Sequence, residues 1–159
     1  MVNRTAYPGT AVTNDVLTAA NVNNLPGGWI GYVEATSSQT GISSETDLTS
    51  LSVTVTVNTT RRILIQGYVP CSGTAVDDRA LVRIKESSTV LQLAAVPIQN
   101  AASVNAGSGS PAVVITPSSG SHTYKLSLER ATGGSGSVGT NVSSTQPAWL
   151  GVIDIGPST

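Results

Sequence analysis

The chain has 159 residues, a formal net charge of −1, 11% charged and 4% aromatic residues, and no phenylalanine. It is one domain's worth of sequence, long enough to bury a proper core. Its 21 Ser and 20 Thr place a small hydroxyl at 41 positions, and Val, Ile and Thr together supply 48 β-branched residues. Branched side chains fit pleated strands and lose χ1 freedom in helices, which argues against an all-α protein. A hydrophobic share of 39% at near-zero net charge argues against global disorder. Two Lys and six Arg are not the equipment of a chain that coats nucleic acid or an anionic membrane. Cys71 stands alone, which excludes an intrachain disulfide and a Cys-based zinc site within one chain. No segment approaches the roughly 20 apolar residues of a membrane span, so membrane insertion is not expected. The first residues lack the apolar run of a signal peptide, and the expectation is a chain kept in the cytosol unless something larger carries it out.

Residues 1–28 differ from the rest. They hold Pro8, Gly9, Pro26, Gly27 and Gly28, are rich in Asn, and show no sustained apolar period. Thr18 could cap one helical turn over residues 19–22, stopped by Pro26 and Gly27. This segment reads as an N-terminal arm, and residues 29–159 as the folded domain. From Trp29 the period becomes two: Trp29, Gly31, Val33 and Ala35 alternate with Ile30, Tyr32, Glu34 and Thr36. The clearest strand is 51–57 (LSVTVTV), with Leu and Val on one face and Ser and Thr on the other. Residues 58–60 turn it into a strand over 62–69, a hairpin pattern. Further strands are predicted over 80–86, 90–96, 112–116, 122–130 and 148–155. Residues 101–110 read as a loop of small residues, and 132–139 (TGGSGSVG) as flexible by composition. Eight or nine strands with turns between them and no long helix predict an antiparallel sandwich or barrel.

Candidate chemistry is sparse. His122 is the one histidine, and no Gly-x-Ser-x-Gly elbow accompanies it. Its expected role is a turn-to-strand residue whose ring bonds a nearby backbone group. Cys71 has no electropositive neighbours in sequence to make a thiolate and reads as a small, buried or half-buried residue. The nine acidic residues are scattered, whereas a glycosidase needs two across a cleft. Asp77-Asp78 reads as a solvated loop pair without EF-hand spacing. Phosphate-cradling motifs are missing. No cofactor is therefore expected, nor any catalytic or metal-binding residue. Arg61-Arg62 reads as a solvated hairpin end or half of an interchain salt bridge. Trp29 and Trp149, at the starts of the first and last strands of the domain, read as core or interface residues on neighbouring strands.

Several stretches then carry a resemblance: residues 15–24 (DVLTAANVNN), 46–55 (TDLTSLSVTV), Arg61-Arg62-Ile63, Arg83-Ile84-Lys85-Glu86, 120–126 (GSHTYKL), Gln146-Pro147-Ala148 and Asp154-Ile155-Gly156-Pro157. They span nearly the whole chain. On them the sequence resembles a family of small virion proteins of tailed bacteriophages, typical of phages infecting actinobacteria and labelled minor tail proteins. Similar proteins often end Glu-Asp-Ile-Gly-Pro; here Val152-Ile153 precede the Asp, so one acidic side chain is missing. The resemblance implies a jelly-roll-like sandwich that assembles as a homotrimer on the particle surface, built in the host cytoplasm. It leaves open the tail tip or fibre and the capsid lattice.

The sequence-based expectation is a non-enzymatic structural protein on the virion surface, of the minor tail or fibre type. Its partners would be copies of itself and other virion proteins. A capsid decoration protein is the alternative, and a carbohydrate-binding module that meets host surface glycans is the second; an envelope hydrolase is a third. Val12, Val16, Leu17, Val22 and Leu25 are spaced through the arm, too few to fold alone but enough to dock along a neighbour. With Trp29 and Trp149 they form the candidate subunit or particle interface.

Overall fold

The computed structural model of the chain describes residues 2–3, 12–13, 25–58, 60–99 and 107–158. In the N-terminal segment two short strands, β1 (Val2–Asn3) and β2 (Val12–Thr13), pair antiparallel. The predicted helical turn over 19–22 lies outside the described residues. The remaining strands are β3 (Gly28–Ala35), β4 (Thr46–Val57), β5 (Arg61–Gly73), β6 (Arg79–Glu86), β7 (Thr89–Pro97), β8 (Gly107–Gly109), β9 (Ala112–Ile115), β10 (Gly120–Arg130), β11 (Val138–Thr140) and β12 (Ala148–Pro157).

Two antiparallel sheets pack face to face. One has the order β4-β10-β6-β7; the other runs β11-β5-β12-β3, with β8 and β9 also paired to β5. Leaving out the two-residue and three-residue strands, eight strands remain, and in chain order they form sheets 1-8-3-6 and 2-7-4-5. This is the interlocked double Greek key of a jelly roll, so the chain is an all-β antiparallel sandwich of jelly-roll type.

Alternation builds the core. β4 sends Val53, Val55 and Val57 inward, β5 sends Ile63, Ile65, Val69 and Cys71, β10 sends Tyr124, Leu126 and Leu128, and β12 sends Ala148, Leu150 and Val152. β4 keeps Ser52, Thr54 and Thr56, and β10 keeps Thr123 and Lys125, on the opposite face, as period two requires. The period slips in β4, where Leu48 and Leu51 are both buried. Ser50 takes a left-handed φ of 65° there, and the pairing with β10 shifts register between Lys125 and Ser127. β4 advances five residues there, from Asp47 to Ser52, while β10 covers two, so three extra residues bulge out, an odd number that restores the apolar face.

Two stretches that read as loops hold strands. β8 lies within 101–110, and a Cβ added at Gly109 would sit 2.5 Å from the Val82 side chain. Only a residue without a side chain lets this strand approach, so the glycine that suggests a loop is what permits the pairing. β11 lies in the segment expected to be flexible. Val138 is buried and exchanges backbone hydrogen bonds with Ile42, at 2.9 and 2.8 Å. The preceding turn is pinned by Asp78, whose carboxylate accepts from the Ser135 and Gly136 amides at 3.0 and 2.9 Å. Asp78 is 3% exposed, so its reading as a solvated loop residue is corrected: it is the buried acceptor around which the turn is wrapped.

Candidate assembly surface

The first and last strands of the sandwich are neighbours: β12 lies between β3 and β5. Trp149 stands opposite Glu34 on β3 and Tyr68 on β5, and Gly151 stands opposite Tyr32 and Gln66. Leu150 and Val152 point into the core, so Trp149 and Gly151 face outward. Trp29 joins them by a register shift. Val152 pairs with Gly31 but Ile153 pairs with Trp29, which leaves Ile30 as an extra residue. The alternation read from sequence put Trp29 on the Gly31–Val33–Ala35 face; this bulge turns it to the outer one. Its indole covers Gly151, where an added Cβ would lie 2.1 Å from the ring.

Four aromatic rings therefore share one outer face. Tyr32 meets Trp29 edge-on at 5.8 Å between centroids and stacks on Trp149 at 6.3 Å, and Tyr68 stacks on the Trp149 ring at 6.3 Å. Such aromatic pairs each add about 0.5–1.5 kcal/mol beyond area burial. Trp29 is 58% exposed and Tyr32 50%, so Trp29 is no core residue, while Trp149 is half-buried between the tyrosines. Ile30 on β3 and Val114 on β9 are also exposed. Two of the hydroxyls are held: the Tyr32 phenol donates to Glu34 at 3.1 Å, and the Gln146 amide donates to the Tyr68 oxygen at 3.4 Å. Tyr32's ionisation is pushed up by burial and by Glu34. Tyr32 and Tyr68 were not singled out from sequence; the signal was cross-strand register, which one strand's pattern does not contain.

The arm enters beside this face. Arg61 donates through Nε to both Asp154 oxygens at 3.1 and 2.9 Å, and through Nη2 to the Leu25 carbonyl at 2.7 Å. Gly27 packs against the same carboxylate. The Arg61 expectation of a solvated or interchain pair is thus corrected to an intrachain one. Of the arm positions, Leu25 is half-buried; Val16, Leu17 and Val22 lie outside the described residues, as does the side chain of Val12.

The opposite outer face has other chemistry. Thr54 and Thr123 share a hydrogen bond at 2.8 Å. Lys85 bridges to Glu45 and reaches Asp47 at 3.8 Å, Lys125 pairs with Asp47, and Arg83 with Glu129. Lys85 holds the Glu45 carboxyl below its ordinary range, against its own desolvation. His122 lies nearby, one ring nitrogen 2.6 Å from Glu86 and the other 2.9 Å from the Ser118 carbonyl. The backbone bond fits the sequence reading; the carboxylate partner was not foreseen. Cys71 is buried, and desolvation pushes its thiol up to about 12, far from a reactive thiolate. Among the described residues no three of His, Cys, Asp and Glu converge as a metal site, and no helix is long and apolar enough to cross a membrane.

No protein-family model matches the chain, and no curated protein does. Among solved structures it is similar to the Eiger TNF of S. frugiperda, with 8% identity over 83% of this chain and 96% of that one, at a TM-score of 0.46. It is also similar to the VP2 subviral particle of infectious bursal disease virus, with 12% identity over 95% of this chain and 41% of that one, at a TM-score of 0.45.

Proposed function

We propose that this chain is a non-enzymatic structural protein of a tailed-bacteriophage virion, a surface component of minor tail or fibre type that assembles as a homotrimer. The observation that carries the reading is the contrast between the two outer sheet faces. One pairs its own charges, with exposed Val90 and Leu93 confined to its edge strand β7; the other presents an aromatic row that a solitary subunit has no reason to maintain. The jelly-roll sandwich and the sequence resemblance support the same reading. The mechanism is assembly: the arm and one face attach to the particle, and the outer loops meet solvent or the host. A capsid decoration role uses the same surfaces on a different lattice.

Electron microscopy of particles labelled with an antibody to this chain tests the proposal. Label at the tail tip or fibres is expected; label on the head shifts the assignment to decoration, and unlabelled particles overturn the virion role. A host-glycan-binding module is the second reading, favoured by the exposed Trp29 and Tyr32 rings.

A further inference from the structure

Resting on the reading of the chain as a self-assembling subunit, we propose that its copies meet through the outer face of the β3–β12–β5–β9 sheet, with Trp29 and Tyr32 on its edge strand β3 as the exposed aromatic anchors and a second copy of this chain as the occupant.

The size of the face fits. Four strands about 4.8 Å apart and eight residues of about 3.3 Å span roughly 19 by 26 Å, a footprint of roughly 500 Å². Three copies that turn this face toward a common three-fold axis withdraw about 1,500 Å² in all, before side-chain relief is counted. A contiguous apolar patch of a few hundred Å² marks a contact surface. Exposed Trp and Tyr side chains, here Trp29 and Tyr32, are the residue types enriched among those that dominate interfaces.

The charge pattern selects the occupant. Glu34 stands at one end of the face, with Tyr32 donating to it, and at the other lie exposed Arg62 and the mutually neutralised Arg61–Asp154 pair. The middle, from Trp149 through Gly151 and Gln66 to Leu64 and Val114, is uncharged. Its complement is another uncharged apolar face, which this chain supplies itself and which the Lys85–Glu45–Asp47 side of the molecule is not. The ring geometry weighs against a sugar. Stacking on a glycan needs a free ring face flanked by unpaired polar groups, whereas both faces of Trp149 are taken by Tyr32 and Tyr68. The hydroxyls of those tyrosines are engaged by Glu34 and Gln146.

Light scattering of the purified full chain tests this with three variants and the wild type. Trp29→Glu and Tyr32→Glu place a charge in the face, and Thr54→Glu places one on the opposite face. The expected wild-type mass is about 48 kDa, three times the 16.1 kDa of one copy. Thr54→Glu should keep that mass, and the two face variants should fall to one copy's mass with a cooperative thermal unfolding transition retained. If Trp29→Glu does not fold, Tyr32→Glu decides. Wild-type mass in a folded Tyr32→Glu variant overturns the assignment of the face and leaves the self-assembly reading standing. A wild type that stays single at high concentration overturns that reading. Quenching of its tryptophan emission by N-acetylglucosamine oligomers would then give the face to a glycan.

Discussion

Tyr124 is the largest fully buried side chain, and its hydroxyl has no hydrogen-bond partner among the described residues. Burial pushes its ionisation well above the ordinary range, with Glu86 adding to the effect. A stranded buried hydroxyl costs about 1–3 kcal/mol, and Phe keeps the ring without it. Tyr124→Phe should therefore leave stability unchanged or raise it by about 1 kcal/mol, read from the urea midpoint; a clear loss would reveal a partner for the hydroxyl. His122 gives a pH signature. Both its nitrogens face acceptors, which only the imidazolium can serve with two donors, so Glu86 first and the Ser118 carbonyl second raise its pKa against desolvation. A raised folded pKa adds stability that is complete below the unfolded value of about 6.5 and fades as pH climbs through the folded value. The urea midpoint should fall across that upper window, and His122→Asn should flatten the slope; an equal slope in the variant contradicts the assignment. The sequence carried the buried, inert Cys71 and the backbone bond of His122. It did not carry Glu86 or the burial of Asp78, because both depend on strands that meet only after folding.

At the level of elements, strand periodicity was readable wherever a strand had one wet and one dry face, as in residues 51–57 and 122–130. It failed where a third dimension intervened. Ile30 and the bulge around Ser50 add residues whose effect depends on the partner strand's register, and β8 and β11 are short strands held by neighbours rather than by their own propensity. The turn of residues 131–137 shows the consequence. Its Gly-Ser composition suggests a loose loop, yet two amides bind one buried carboxylate. Asp78→Ala should cost about 1–3 kcal/mol by orphaning those amides and should raise amide hydrogen exchange throughout the turn; unchanged exchange would show that the carboxylate does not hold it. Gly151 is the matching test on the aromatic face. An alanine there collides with the Trp29 ring, so Gly151→Ala should displace the indole and shift tryptophan emission to the red. An unshifted spectrum would place the ring elsewhere.

Across the whole molecule, the sandwich class was legible in composition and period alone. The jelly-roll connection was not: it entered through a resemblance and is established by the order of strands in the two sheets. The aromatic face proposed for assembly was legible only in its two tryptophans. Trp29 and Trp149 stood out as large aromatics in an aromatic-poor chain, but the tyrosines that complete the row become visible only when β3, β12 and β5 are laid side by side. Around that row the molecule is two-sided, a face rich in self-paired charge against one that is aromatic with its charges at the ends, and this asymmetry is the basis for reading it as a building block. Sedimentation velocity of the wild-type chain, diluted from tens of micromolar to well below one micromolar, addresses the point most directly. A single species with the mass of three copies is expected over the upper part of that range, and a uniform single-copy species at every concentration would rule out self-assembly.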